Sequence, residues 1–209
     1  MKKDPMMWMI VLMPALCITI YQLGMHYLSF LHPYSRVLQY MLIGMCTSFA
    51  GIIFALRMLD EKDEHLLSFY AVSPIGIKGY LLYRGGMSFV ISGAITSLTS
   101  LGIMGSISIN SVIYGSLLGI LLTLVVGNLA QNKIQGMILA KATGLLVVLP
   151  CIRQLGDNSK DWLLVFLPWD YLYKMIVLQE RRVTTYMIYC MVMVVGCSYF
   201  IWQHKKLNC

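Results

Sequence analysis

Six stretches of this chain pass 16 to 24 residues at a time with almost no charge, and that property fixes the medium in which it folds. They run from about Met7 to Phe30, Val37 to Leu56, Met87 to Ile107, Val112 to Ala130, Gly136 to Cys151 and Thr184 to Trp202. Lys141 is the single Lys, Arg, Asp or Glu inside them, close enough to the start of the fifth stretch to reach the interface along its aliphatic stem. A hydrocarbon layer about 30 Å thick is crossed by ~20 apolar helical residues. The sequence therefore predicts an all-α membrane protein with six transmembrane helices, forming one transmembrane domain over residues 1–209.

Composition excludes the main alternative. Apolar residues make up 58% of the chain and charged residues 12%, against about a quarter charged in soluble domains, so a soluble enzyme is ruled out. Six crossings with short connections use nearly all of the 209 residues, and machinery for a nucleotide must sit in another chain. The net charge of +7 does not point to nucleic acid, because the Lys and Arg residues are scattered between apolar runs and form no basic stripe. Lys2 and Lys3 precede the first run as they would in a signal peptide. That run is too long and lacks a small-residue cleavage site, so it reads as a retained span.

Counting Lys and Arg in the connections orients the bundle. Ten fall on one side (Lys2, Lys3, Arg57, Lys62, Lys78, Arg84, Lys133, Lys141, Lys205 and Lys206) and six on the other (Arg36, Arg153, Lys160, Lys174, Arg181 and Arg182). Both termini are expected in the cytoplasm of a multi-pass cell-membrane protein. Cys17, Cys46, Cys151, Cys190, Cys197 and Cys209 form no C-x-x-C pair, and all but Cys209 lie within apolar stretches, where a thiol packs as a small hydrophobe.

Two connections are much longer than a turn. Residues 57–84 open with Asp60, Glu61, Lys62, Asp63 and Glu64, continue through Leu66, Leu67, Phe69, Tyr70 and Val72, and reach Pro74. The apolar spacing is helical, and a proline disfavours the α region for the residue before it. An amphipathic helix over about 60–73 is expected at the inner membrane surface, its carboxylates in the first turn where they suit the helix dipole. Residues 153–182 carry Trp162, Pro168, Trp169, Tyr171 and Tyr173. Interfacial aromatics around a central proline suit a re-entrant or surface-lying pair of short helices on the outer side, and equally an aromatic belt at the headgroup layer.

Several chemistries lack their residues. No carboxylate lies deep in an expected span, which argues against coupling to protons or sodium. His26, His32, His65 and His204 have no metal-ligand spacing, there is no H-E-x-x-H, and no G-x-x-x-x-G-K-[ST] phosphate loop occurs. No catalytic residue, metal site or bound cofactor is expected in this chain. Gly115 and Gly119 form a G-x-x-x-G pattern, a weak dimerisation signal that more often serves packing within a bundle.

The block Leu59–Leu67, followed by Ala71-Val72-Ser73-Pro74 and Gly79-Tyr80-Leu81-Leu82-Tyr83-Arg84, resembles the cytoplasmic stretch of type 2 ABC-exporter permeases, with His65 and Leu66 in place of the usual Gly-Thr. Together with Asn132-Lys133-Ile134-Gln135-Gly136, Ala140-Lys141 and Leu167-Pro168-Trp169, it is similar to small six-span permeases named fluoroquinolone exporters. The resemblance implies a bacterial half-transporter that is not itself an enzyme and pairs with a second permease copy or a sibling. A separate ATP-binding-cassette subunit would hold ATP and Mg and hydrolyse the nucleotide.

It further implies that the 60–73 helix is the coupling helix, with Asp60, Glu61, Asp63, Glu64, Leu67 and Pro74 as the coupling residues, Glu61 and Glu64 foremost. Trp162, Pro168, Trp169 and Tyr171 would shape an outer gate, and Tyr40, Thr47, Ser48 and Asn128 would line the route of a hydrophobic or amphipathic cargo such as a drug, lipid or peptide. Sixteen methionines could supply adaptable surfaces for such cargo, or fill gaps in the bundle. A membrane sensor or immunity protein that binds a toxin or partner in the bilayer shares this fold and stands as the alternative.

Overall fold

A computed structural model describes residues 5–64, 66, 69–70, 76–154, 164, 167–179 and 185–196. Every regular element among them is helical: α1 (Pro5–Tyr27), α2 (Ser35–Asp63), α3 (Gly76–Met104), α4 (Ile109–Leu129), α5 (Lys133–Val148), α6 (Pro168–Ile176) and α7 (Thr185–Gly196), with 3-10 turns over Ser29–Tyr34 and Leu149–Gln154. The first five are long and apolar enough to cross a membrane. α7 is apolar but short, and the rest of the sixth expected span, residue 184 and residues 197–202, lies outside the described residues.

Two helices outrun their expected spans. α2 and α3 have 29 residues each, which at 1.5 Å per residue is ~43 Å, beyond the ~30 Å hydrocarbon core. The surplus falls at the C-terminal end of α2 and the N-terminal end of α3. Asp60, Glu61, Lys62 and Asp63 are thus the last turn of α2 rather than the first turn of a new helix. From Leu56 to Asp63 no glycine or proline interrupts the helix, so it continues until Glu64, whose backbone N–H donates to the Asp60 carbonyl at 3.0 Å. Carboxylates there oppose the helix dipole, and their compensation comes from neighbouring helices. Other boundaries follow local chemistry. Gly105, with φ +69°, ends α3 in a left-handed cap and donates to the Leu101 carbonyl at 3.0 Å. Asn132 caps α5 by accepting from the Gln135 N–H at 2.9 Å, while Gln135 accepts from Gln131 N–H at 2.9 Å.

The core is the close packing of α2, α3 and α4. Gly51 of α2 faces Gly119 of α4 so closely that a Cβ on Gly51 would come within 2.7 Å of the Gly119 carbonyl oxygen. On its other side, a Cβ at Gly119 would meet Ser92 Cβ of α3 at 2.5 Å, and one at Gly115 would meet Thr96 Oγ1 at 2.6 Å. The G-x-x-x-G pattern therefore serves packing inside one chain. Hydroxyls follow the same seam: Thr47 and Thr96 lie 2.9 Å apart, Ser88 and Thr123 2.8 Å apart, and Thr123 Oγ1 lies 3.0 Å from the Gly51 carbonyl. Lipid tails are as apolar as leucine, so helices in a bilayer gain little from burying hydrocarbon against each other. Backbone approach and interhelical hydrogen bonds select this arrangement instead.

The cysteines behave as packing residues. Cys17, Cys46 and Cys190 are buried, and these and Cys151 carry free thiols. Cys197 and Cys209 lie outside the described residues. α1 and α5 are the periphery, with Leu12, Leu16, Ile20 and Leu23 exposed on one and Ile134, Ile138 and Leu145 on the other.

Glycine substitutions test the seam. Gly119→Ala is expected to lower stability by ~1–3 kcal/mol, the usual cost of overpacking. Gly144→Ala, where an added Cβ meets nothing within 4 Å, is expected to be neutral or stabilising by up to ~1 kcal/mol. Thermal unfolding of the two variants in detergent checks the contrast.

Candidate functional site

The expected functional residues gather at opposite ends of the bundle. One end carries the surplus turns of α2 and α3 with the start of α5. The other holds the N-terminal third of α2, the start of α4, the end of α5, and α6.

At the first end the charges pair across helices. Glu61 Oε2 accepts from the Tyr80 hydroxyl at 2.5 Å and from Arg84 Nε at 3.1 Å, and the Arg84 guanidinium closes an ion pair with Glu61 Oε1. Both charged side chains are largely covered, with 12% of Arg84 and 15% of Glu61 exposed. Tyr80 and Arg84 stand four residues apart on α3, so one helix face presents both donors to the last turn of α2. Asp60 pairs with Lys133 at the start of α5, at 2.8 Å and 3.0 Å to its two oxygens, in a far more open setting. Lys62 donates to the Ala130 carbonyl at 3.3 Å. Asp63 and Glu64 are exposed. Of the six expected coupling residues, Asp60 and Glu61 are thus held within the chain and Asp63 and Glu64 face outward. Leu67 and Pro74 lie outside the described residues.

The opposite end is built on α6. Pro168 occupies its first turn, where a missing N–H costs nothing. The helix is not a surface feature: Pro168, Trp169, Asp170, Tyr171, Leu172, Tyr173 and Ile176 are all buried. Trp169 Nε1 donates to Ser48 Oγ at 2.9 Å, and Ser48 lies near the middle of α2, so α6 dips well into the bundle. Tyr114 of α4 donates to the Pro168 carbonyl at 2.7 Å. Tyr40 of α2 donates to the Val147 carbonyl near the end of α5 at 2.7 Å. Irregular backbone at such depth is tolerated where protein covers it, and here α2 and α4 pack against it.

Tyrosines collect around α6. Tyr171 packs on Tyr186 and Tyr189 of α7 with ring centroids 4.6 and 5.1 Å away, and Tyr40 meets Tyr173 edge-on at 5.2 Å. Asp170 is wholly buried and pairs with Lys174 at 3.1 Å, whose ammonium sits 5.4 Å from the Tyr171 ring centre. A carboxylate therefore does lie inside the bundle. Sequence could not reveal it, because Asp170 belongs to a connection rather than a span. Trp169, Pro168 and Tyr171 of the expected gate are together here, while Trp162 lies outside the described residues.

The expected route residues are internal contacts of a single chain. Tyr40, Thr47 and Ser48 are buried and hydrogen-bonded to α5, α3 and α6 respectively. Asn128 donates to the Leu124 carbonyl of its own helix. Tyr80, Arg84 and Lys133 were not among the expected site residues. Their signal was available in part, as a basic residue spaced one turn from a tyrosine beside an acidic helix end.

With this geometry in view, comparison with known proteins is decisive for the family. The family model of Rv2686c-like fluoroquinolones export permease proteins matches residues 1–203. The chain belongs to this family. Two relatives from Mycobacterium tuberculosis, the fluoroquinolones export permease proteins MT2760 and Rv2686c, are each 26% identical to it, over 78% of this chain and 71% of theirs. No solved structure matches. The chain is accordingly a permease of an ABC-exporter family, a transport protein, and its five long apolar helices suit a bilayer.

The Glu61–Arg84 pair of this permease is open to a direct test. Removing one partner of a covered ion pair strands the other, while removing both is far milder. Glu61→Leu is expected to destabilise by ~3 kcal/mol and Glu61→Leu with Arg84→Leu to recover most of that. Asp60→Asn, in the open pair, is expected to cost under ~1 kcal/mol. Chemical denaturation in detergent measures all three.

Proposed function

We propose that this permease is the membrane subunit of an ATP-driven exporter, energised by a separate ATP-binding-cassette subunit that docks on the end bearing Asp60 to Glu64. Two permease and two ATPase subunits form the working complex, with ATP and Mg held by the ATPase subunits. That end faces the cytoplasm, in keeping with the Lys and Arg count. Family membership supports the transport role, and the observation that carries the docking site is the contrast between neighbouring carboxylates. Asp60 and Glu61 are engaged by Lys133, Tyr80 and Arg84, whereas Asp63 and Glu64 point outward at the last turn of a membrane helix. Exposed charge on a rigid helix end has no part in sealing the bundle and can meet a soluble partner.

At the outer end α6 and the tyrosines around it close the route, and the cargo passes between two permease copies whose uncovered apolar faces include those of α1 and α5. The cargo is hydrophobic or amphipathic. The relatives' names make a fluoroquinolone the first compound to try.

Affinity capture of the tagged permease from its native membrane in mild detergent, with mass spectrometry of what accompanies it, tests this. Recovery of an ATP-binding-cassette subunit is expected, reduced about tenfold by Asp63→Lys with Glu64→Lys, as reversal of contact charges predicts. If the folded permease emerges without such a subunit, the reading fails and a sensor or immunity role takes its place.

A further inference from the structure

Between the outward-facing carboxylates and the membrane-spanning core lies a continuous run of contacts that belongs to no single helix. Tyr70, in the connection between α2 and α3, stacks on Tyr80 of α3 with ring centroids 4.8 Å apart and planes 30° from parallel. The Tyr80 hydroxyl donates to Glu61 of α2 at 2.5 Å. Glu61 is gripped in turn by Arg84, one turn further along α3, whose guanidinium carbon also sits 5.9 Å from the Tyr80 ring centre. A force applied at Tyr70 therefore meets α3 through a ring stack and α2 through a charge-assisted hydrogen bond, which is about twice as strong as a neutral one.

From this geometry we infer that Tyr70, Tyr80, Glu61 and Arg84 form a relay that makes α2 and α3 move as one body when the connection between them is displaced. The inference rests on the docking reading above for what displaces the connection, but the relay itself is a property of this chain alone. Glu61 thereby becomes a positioning residue rather than a contact for the partner. The pair is well suited to this. Both charges are mostly shielded from water, so the link is not loosened by salt as an exposed pair would be. It also lies just before α2 and α3 enter the close glycine seam with α4, where packed backbones pass on rigid shifts instead of absorbing them. The more open Asp60–Lys133 contact gives α5 a weaker hold on the same turn.

Contiguous contacts count as coupling only when their energies prove interdependent, so the test is a mutant cycle. Its first arm uses the permease alone in lipid nanodiscs and reads amide hydrogen exchange over residues 57–64. Tyr80→Phe keeps the ring and removes the hydroxyl, and is expected to speed exchange there about fivefold, the factor for one lost hydrogen bond. Tyr70→Leu should speed it in the same direction, and the two together should do little more than Tyr80→Phe alone. Unchanged exchange in Tyr70→Leu, or strictly multiplicative effects, overturns the relay whatever the partner proves to be.

The second arm uses the co-purified complex with its ATPase subunit. Glu61→Gln should leave recovery of that subunit intact and change the ATPase rate of the assembled complex severalfold, and Glu61→Arg with Arg84→Glu should bring the rate back toward that of the unmodified chain. Loss of the subunit in Glu61→Gln would instead make Glu61 a docking contact and refute its positioning role. Absence of the subunit from the unmodified permease defeats the docking reading only, and leaves the first arm to decide the relay.

Discussion

The approach of the α2, α3 and α4 backbones through Gly51, Gly115 and Gly119 is the constraint from which the remaining structure follows. In a bilayer the apolar surfaces of helices are already in a compatible solvent, so burial alone does not choose one pairing over another. Close contact does, since dispersion and interhelical hydrogen bonds fall away within an ångström. Ser88, Ser92, Thr96 and Thr123 line the same seam and lie buried in it. With three helices fixed in this way, α1 and α5 are left to the periphery and α6 finds a covered site between α2 and α4.

Polar groups at the two ends answer different problems. At the end carrying Asp60 to Glu64, helices longer than the hydrocarbon layer bring charges of opposite sign together outside it, and the structure satisfies the inner ones within the chain. Toward the other end, a short helix enters the bundle and needs partners for its backbone and its indole. Tyr114 and Ser48 provide them. The buried Asp170–Lys174 pair belongs to that same helix, and its two charges neutralise each other one turn apart. One end of the bundle thus leaves Asp63 and Glu64 exposed, and the other buries a short helix among its neighbours.

Much of this was legible in the residues. Charge-free stretches reveal spans because hydropathy is a local property, and five of the six expected spans correspond to long apolar helices. That the region around Pro168 carries a short helix was also readable, from aromatics flanking a proline. The acidic cluster misled as to the helix it belongs to. Carboxylates favour a first turn when a helix stands alone, but here continuity of the α2 backbone and cations from α3 and α5 outweigh the dipole. Tyr40, Thr47 and Ser48, expected as lining for a route, are hydrogen-bonded to other helices of the same chain, and polarity within a span does not by itself say which neighbour it faces.

What the sequence determined by itself is the medium, the long apolar helices, the small-residue faces and the two polar connections, all encoded by residues close together along the chain. The tertiary structure alone decided that Glu61 is bound to Tyr80 and Arg84 while Glu64 is not, that Gly119 lies under Ser92 and against Gly51, and that Trp169 reaches Ser48. Those pairings join positions 19 to 121 residues apart. Their energies depend on distances of a few ångströms between separate helices, and no local pattern in a sequence sets such distances before the helices have packed.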